Sequence, residues 1–147
     1  MSDEVWMIHC DGSAVPNPGR MGLGAVLTAP DGTRHTLSIT AEGRGCNNEA
    51  ELRALMAALQ EARQRGTIAL TIHCDNSVVV AQLSGTAVEP FLRLAPLFEE
   101  VRAMLRSFAS ARLVWIPRHR NREADALARA AVGLQPKTAP PASKRRR

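Results

Sequence analysis

The sequence contains no apolar run long enough to cross a bilayer as a helix, so we expect no membrane-spanning segment. Its first residues, Met-Ser-Asp-Glu, lack the positive charge with which a secretory signal begins. Cysteine is scarce, with three in 147 residues, and this fits reduced thiols rather than a disulfide framework. Apolar residues make up 45% of the chain, so disorder throughout is excluded. We therefore expect one cytoplasmic, monomeric domain that has no membrane partner.

The body of the chain also lacks net charge, although the whole sequence carries a formal charge of +5. Five of the 19 basic residues lie within 137–147, which holds no acid, and the rest equal the 14 acidic residues in number. Proline, alanine and basic residues dominate this end of the chain, and it has no apolar periodicity. We predict a disordered basic tail over 135–147, after a domain over 1–134. Such a tail could either contact nucleic acid or only keep the protein in solution.

Apolar spacing and turn residues predict nine elements in the order β-β-β-α-β-α-α-β-α. Pro30-Asp31-Gly32 predicts a hairpin turn between the second and third strands, since Asp-Gly supplies positive φ angles. A hairpin-rich start followed by alternating helices and strands favours an α/β fold, a mixed sheet flanked by helices. The predicted elements cover 5–10, 22–28, 33–40, 48–65 closed by Gly66, 68–74, a helix up to Leu83, 90–108 with Pro96 as a potential break, 112–116 and 121–131.

A tetrapeptide, Ile-His-Cys-Asp, occurs twice, at 8–11 and at 72–75. Each copy ends a predicted strand, so Asp11 and Asp75 would meet at one sheet edge if the two strands are parallel neighbours. Two carboxylates forced together repel, and a divalent cation relieves that repulsion. Taken alone, each aspartate is better explained as a cap of the turn or helix behind it. The matched positions of the pair favour a metal site.

The same tetrapeptides suggest a rival zinc site made of His9, Cys10, His73 and Cys74. Neighbouring residues on a strand point to opposite faces of a sheet, so each histidine and the cysteine beside it cannot converge on one ion. We therefore interpret both cysteines as small buried core residues rather than as zinc ligands.

Two further acids lie on the apolar faces of predicted helices. Glu51 shares a face with Leu55, where a carboxylate without a partner is costly. An alternative is a capping box, in which Asn48 caps the helix and Glu51 reaches back to it. Asp125 lies on the alanine-rich face of the last helix, and its alternative is an ion pair with Arg129 one turn later. Both acids join the candidate metal ligands.

These residues belong to a series of motifs that resembles type 1 ribonuclease H over about residues 5–131. The motifs, in the family's order, are Asp11-Gly-Ser, Asn17-Pro-Gly, Asn47-Asn48-x-x-Glu51, Asp75-Asn-Ser and Asn121-x-x-x-Asp125-Ala-Leu-Ala. The resemblance implies a ribonuclease H-like fold with a mixed five-stranded sheet. It also implies an endonuclease that hydrolyses the RNA strand of RNA–DNA hybrids and leaves 5′-phosphate and 3′-hydroxyl ends.

The resemblance further implies that four acids bind two Mg²⁺ ions, for which Mn²⁺ can substitute: Asp11, Glu51, Asp75 and Asp125. Two such ions activate a water and stabilise the leaving 3′ oxygen in an in-line attack on phosphorus. Oxygen ligands suit both cations, and four carboxylates offset the charge of two divalent ions. His119, six residues before the last acid, could transfer protons at neutral pH or only contact phosphate.

Three asparagines match family positions that contact the hybrid. The amides of Asn17, Asn47 and Asn48 suit a minor groove lined with 2′-hydroxyls and base-edge acceptors, and a role in a turn or helix cap could coexist with that one.

The chain resembles the subgroup that lacks a basic protrusion before the last strand. Two other functions stay open: a non-catalytic hybrid-binding module, and a nuclease of the same fold that acts on double-stranded RNA. The candidate binding residues in the loop before the last helix are Arg118, Arg120 and Asn121, and Arg122 beside them is a further candidate source of affinity for the hybrid.

Overall fold

Five strands form a single sheet in a computed structural model that describes residues 4–135. The predicted order of strands and helices is confirmed, and short 3-10 turns at Leu92–Leu94 and Arg118–Arg120 precede the last two helices. The strands are β1 (Trp6–Val15), β2 (Gly19–Thr28), β3 (Arg34–Gly45), β4 (Ala69–Cys74) and β5 (Ser110–Trp115). The helices are α1 (Asn47–Gln64), α2 (Ser77–Ser84), α3 (Ala95–Arg106) and α4 (Arg122–Ala131).

The sheet is mixed, as predicted, with the strand order β3-β2-β1-β4-β5. β1 and β4 are parallel neighbours in which Cys10 pairs with Cys74, and β5 runs parallel beside β4. β2 is antiparallel to both β1 and β3. The first strand is longer than predicted, because pairing with β2 carries it through Asp11 to Val15. Asp11 therefore lies where the ladder with β4 ends, in the middle of its own strand.

The predicted hairpin between β2 and β3 is confirmed. Its turn is closed by the Ala29 amide, which donates to the Thr33 carbonyl oxygen at 2.8 Å. The Asp31 carboxylate accepts from the Thr33 amide at 2.9 Å. Gly32 has a φ of 91°, a conformation that glycine adopts without steric cost. The Asp-Gly pair thus supplies the chemistry that the sequence predicts for this turn.

Glycines in the strands let two helices approach the sheet closely. A Cβ at Gly12 would lie 2.2 Å from the carbonyl carbon of Ala50 in α1. A Cβ at Gly24 would lie 2.3 Å from the carbonyl oxygen of Ala124 in α4. Gly24 pairs with Asp11 across the two strands, so these two residues face the same side of the sheet. Gly12 follows Asp11 on β1 and faces the opposite side. Helices α1 and α4 therefore lie on opposite faces of the sheet. Both helices therefore reach the backbone near the middle of the sheet.

The main apolar core lies between the sheet and α1, and α3 packs against α1, α2 and β5. Burial of these side chains is the chief favourable term that holds the layers together. The central members are Ile8, Leu70 and Ile72 from the strands, Leu52, Leu55 and Leu59 from α1, and Phe98 and Val101 from α3.

Pro96 does not divide a helix that runs from Pro90 to Phe108. It lies in the first turn of α3, where the amide hydrogen that proline lacks would have no partner within the helix. The residues before α3 form irregular chain and the 3-10 turn at Leu92–Leu94. The helix thus begins at Ala95 with the proline in its first turn, and the predicted boundary at residue 90 is wrong.

The predicted domain boundary at residue 134 and the basic tail remain predictions, because residues 136–147 lie outside the described part of the chain. The same holds for residues 1–3. Within residues 4–135, no helix combines the length and the hydropathy needed to cross a membrane.

Candidate active site

Three of the predicted metal ligands meet beside the C-terminal end of β4. One oxygen from each of Asp11, Glu51 and Asp75 lies within 4.8 Å of the others. Asp11 comes from β1, and Asp75 directly follows β4, the parallel neighbour of β1. Glu51 comes from α1, which the close approach at Gly12 brings next to Asp11. The two copies of the tetrapeptide therefore do bring their aspartates together.

Glu51 does not belong to a capping box, so that alternative is wrong. Helix α1 begins at Asn47, its N-cap is Cys46, and no side chain caps its first turn. Asn48 therefore lies inside the helix rather than at its cap. Glu51 is only 6% exposed, and its Oε1 atom has no hydrogen-bond partner among the described residues. A buried carboxylate oxygen without a donor is costly, and a bound cation removes that cost.

Burial and crowding raise the pKa values of these carboxyl groups. Burial raises the pKa of Asp11 to about 7; a hydrogen bond with Glu51 opposes this rise, and the charges of Asp75 and Asp125 add to it. Burial, followed by the charge of Asp11, raises the pKa of Glu51 well above its usual range. Without a cation, these carboxyl groups resist ionisation. Their oxygens are hard ligands and would suit a divalent cation such as Mg²⁺ or Mn²⁺.

We expect the metal-free protein to lose stability as the pH rises between 3.8, the ordinary pKa of Asp11, and about 7, its pKa in the fold. Folding takes up a proton in this range, so the free energy of unfolding falls with pH, by a few kcal/mol at most for this group. Urea unfolding in EDTA at about pH 5 and about pH 8 measures the loss. Mn²⁺ at the higher pH should restore stability, and Asp11→Asn should flatten the dependence. Equal pH dependence in Asp11→Asn and wild type would contradict this account.

Asn121, predicted to contact nucleic acid, lies in the interior and is 1% exposed, so it is not available to a duplex. Its Nδ2 atom donates to the Cys10 carbonyl oxygen at 2.9 Å and to Asp75 Oδ2 at 2.8 Å. Both of its N–H bonds are thereby used, and the side chain does not cap α4, although Asn121 is the N-cap residue. Asn121 ties β1, the end of β4 and the start of α4 together. It holds one oxygen of Asp75 in place.

Asp125 lies in the first turn of α4, half-buried, and lines the same cleft as the three clustered carboxylates. Its charge contributes to the raised pKa of Asp11, as expected for two neighbouring carboxyl groups. Within the described chain the alternative ion pair with Arg129 is not formed. Arg129 Nε instead donates to the Gln135 carbonyl oxygen at 2.9 Å. Asp125 can therefore act as a fourth ligand.

The carboxylates lie in an open cleft of about 730 Å³. Arg118 and His119 line it, as do Arg122 and Arg129, so positive side chains flank the acids. Arg120 does not share this cleft and instead lines a separate pocket of about 180 Å³. Of the three predicted arginines, the structure thus brings Arg118 and Arg122 into the cleft, and it adds Arg129 from α4.

Asparagines line another part of the cleft, and each is held by its side-chain oxygen. Asn17 Oδ1 accepts from the Asn47 amide at 3.1 Å, and Asn47 Oδ1 accepts from the Ala14 amide at 2.9 Å. Asn48 Oδ1 accepts from Asn76 Nδ2 at 2.7 Å. Because these oxygens are occupied, the N–H₂ groups of all three predicted asparagines remain for a ligand. Asn76 is a cleft residue that the sequence analysis does not identify.

The geometry opposes the rival zinc site. His9 and His73 stack on each other with ring centroids 4.5 Å apart. Cys10 and Cys74 are fully buried in the core between the sheet and α1. A hydrogen bond with Cys74, together with burial, raises the pKa of the Cys10 thiol well above its usual range, which disfavours the thiolate that zinc binds.

Comparisons with known sequences give relatives over most of the chain. The Reverse transcriptase-like family matches residues 9–131. The bifunctional protein Rv2228c of Mycobacterium tuberculosis is 37% identical over 127 residues, which are 86% of this chain and 35% of that protein. Ribonuclease HI of Halobacterium salinarum is 36% identical over 131 residues, which cover 84% of this chain and 62% of that protein. The chain thus spans only part of the length of both relatives.

Solved structures match the fold. RNase H1 from Halobacterium salinarum superposes with a TM-score of 0.81 at 33% identity, over 86% of this chain and 96% of that one. LC11-RNase H1, solved in complex with an RNA/DNA hybrid, superposes with a TM-score of 0.78 at 28% identity, over 86% and 96% of the two chains. Family match, sequence identity and fold agree over the same residues. The chain therefore belongs to the Reverse transcriptase-like family and, within it, to the type 1 ribonucleases H.

Proposed function

We propose that this chain is a metal-dependent endoribonuclease that hydrolyses the RNA strand of RNA–DNA hybrids. The cleft carries the proposal, since it combines three carboxylates within 4.8 Å of one another with asparagine and arginine side chains around them. The likeness to an RNase H1 solved with an RNA/DNA hybrid supports this substrate. Because the chain spans 35% and 62% of two relatives, the proposal concerns this domain alone.

Mg²⁺ fits the donor set, which consists of carboxylate oxygens, and Mn²⁺ is a suitable substitute. Asp11, Glu51 and Asp75 would hold the metal, with Asp125 as the fourth ligand. With two ions held by these residues, the site would supply an activated water and would offset the charge on the leaving 3′ oxygen, and the products would carry 5′-phosphate and 3′-hydroxyl ends. The bond from Asn121 Nδ2 to Asp75 keeps that carboxylate in one orientation while substrate binds.

The asparagines supply donors for the minor groove of the hybrid. Asn17, Asn47 and Asn48 each have the side-chain oxygen occupied by an N–H from the protein. The free N–H₂ groups match the base-edge acceptors and 2′-hydroxyl oxygens that line this groove. Uncharged donors of this kind read the groove without attracting the phosphates on either side.

Phosphate contacts fall to the arginines of the cleft, with Arg118 and Arg122 as the leading candidates. The described segment between α2 and β5 contains a single α-helix, α3, in which Arg102 pairs with Glu99 at 2.7 Å. We therefore assign the chain to the subgroup that lacks a basic protrusion. In this assignment the cleft arginines replace the protrusion as the main source of duplex affinity.

The substrate is tested with labelled RNA–DNA hybrid, duplex RNA and duplex DNA, each incubated with Mg²⁺, Mn²⁺ or EDTA. We expect cleavage of the hybrid alone, and only when a divalent cation is present. Cleavage of duplex RNA at a comparable rate would favour the same-fold nuclease. Tight binding of the hybrid without cleavage in either metal would indicate a non-catalytic binding module.

His119 is exposed, lies in the 3-10 turn between β5 and α4, and lines the cleft. We expect His119→Ala to lower kcat about 100-fold with little change in KM, as for a group that moves a proton in the rate-limiting step. Arg118→Ala, on the same turn, is the control and should raise KM with kcat nearly unchanged, since arginine contacts phosphate. A raised KM with unchanged kcat in His119→Ala would show that this histidine only contacts phosphate.

A further inference from the structure

Two consecutive hydrogen bonds connect the start of α2 with the wall of the cleft. The Val79 amide donates to Asn76 Oδ1 at 3.1 Å, which makes Asn76 the N-cap of α2. Asn76 Nδ2 in turn donates to Asn48 Oδ1 at 2.7 Å. Both asparagines line the cleft that holds the carboxylates.

These bonds determine the directions in which the side-chain oxygen and nitrogen of Asn76 and Asn48 point. A backbone N–H can only donate, so Val79 fixes the oxygen of Asn76 toward the helix and its nitrogen toward Asn48. An amide nitrogen also can only donate, so Asn48 must turn its oxygen toward Asn76. The nitrogen of Asn48 is left without a hydrogen bond among residues 4–135, as a donor for a ligand in the cleft.

We propose that Asn76 is a positioning residue that makes Asn48 present its N–H₂ group, and not its carbonyl oxygen, to the minor groove of a bound hybrid. The inference rests on the proposed cleavage of hybrids and names the residue that sets how Asn48 reads them. The minor groove offers mainly acceptors at base edges, so a carbonyl turned toward it would meet repulsion in place of a hydrogen bond.

Asn48 differs from its neighbours in how its orientation is fixed. The side-chain oxygens of Asn17 and Asn47 accept hydrogen bonds from backbone amides. Only a substitution to proline at the donor residue would remove such an amide hydrogen. Asn48 depends on the side chain of Asn76, so its orientation can be changed without touching Asn48 itself.

Two substitutions separate this role from helix capping. Asn76→Ser keeps a good N-cap but loses the amide nitrogen, whereas Asn76→Ala loses both. We expect both variants to raise KM for the hybrid about 5- to 10-fold, the value of one hydrogen bond, with kcat changed less than about 2-fold. The melting temperature should fall by a few degrees in Asn76→Ala only.

A scan of the substrate shows whether the affected contact is made through a minor-groove acceptor. Hybrids are prepared in which a single purine carries a carbon in place of its minor-groove N3 acceptor. Wild-type protein should lose about 5- to 10-fold in kcat/KM at one position of this scan. Asn76→Ser should lose nothing further at that position, because the contact is already absent.

Three outcomes overturn the inference. Wild-type KM in Asn76→Ser with a raised KM only in Asn76→Ala would mean that Asn76 acts solely as a helix cap. Equal sensitivity of wild type and Asn76→Ser at every position of the scan would mean that Asn48 reads no acceptor through this bond. Failure of wild-type protein to cleave any hybrid would overturn the proposed function and this inference with it, whereas the first two results leave the proposed function intact.

Discussion

Replacing Asp11 by asparagine should lower hybrid hydrolysis by roughly 10³-fold or more while hybrid binding stays close to that of wild type. Asp11 lies within 4.8 Å of both Glu51 and Asp75, so it belongs to any metal site that this cluster forms. The substitution removes one charge and keeps the shape of the side chain. Single-turnover cleavage and equilibrium binding of the same labelled hybrid, measured side by side, separate the two effects.

Glu100→Gln is the matched control for Asp11→Asn, since Glu100 is an exposed acid on α3 outside the cleft. It should cleave at the wild-type rate. The metal-free Asp11→Asn protein should be slightly more stable than wild type, because one of three crowded carboxylates is neutral. Activity above about a tenth of wild type in Asp11→Asn would contradict its assignment as a metal ligand.

Replacing Asn121 by alanine should impair catalysis and stability together. The change removes the donor to the buried Cys10 carbonyl oxygen and the donor to Asp75, so we expect a loss of about 1 to 3 kcal/mol in the free energy of unfolding. An Asp75 carboxylate released from this bond should bind metal less well. We expect kcat to fall about 10-fold or more and the Mg²⁺ concentration at half-maximal rate to rise, as for loss of an outer-shell partner.

Val101→Ala is the control that separates the loss of stability in Asn121→Ala from its effect on metal binding. Val101 is a fully buried core residue of α3 outside the cleft. It should cost comparable stability and leave the Mg²⁺ dependence of the rate unchanged. Asn121→Asp, which keeps the shape but offers oxygens where two acceptors already lie, should not restore activity. If Asn121→Ala shows the wild-type Mg²⁺ dependence, Asn121 contributes to packing and does not position Asp75.

Much of the fold could be predicted from local chemistry. The left-handed glycines Gly66 and Gly85 mark the ends of α1 and α2, as their places after apolar helical patterns indicate. The repeated Ile-His-Cys-Asp tetrapeptide locates two aspartates that do meet in space. The extension of β1 through Asp11 could not be predicted in this way, because it depends on pairing with β2 and not on the residues of β1 alone.

The interior contacts of the site could not be predicted from the sequence, because they too depend on residues that only the fold brings together. Asparagine before a helix is typical of an N-cap or an exposed contact, and only the fold shows that Asn121 turns inward to Asp75. Arg129 could have been found, since it lies four residues after Asp125 and shares its helix face. No local pattern pairs Asn76 with Asn48, which are 28 residues apart in sequence.

The central claim is metal-dependent attack of water on the RNA strand of a hybrid. Its most direct test is a hybrid labelled on each strand in turn, incubated with the wild-type protein in Mg²⁺ or EDTA, with the fragment ends identified. We predict fragments of the RNA strand alone, with 5′-phosphate and 3′-hydroxyl ends, and no fragments in EDTA. Cleavage that persists in EDTA, or that leaves 2′,3′-cyclic phosphate ends, would contradict the claim, since the attacking group would then be the RNA's own 2′-hydroxyl.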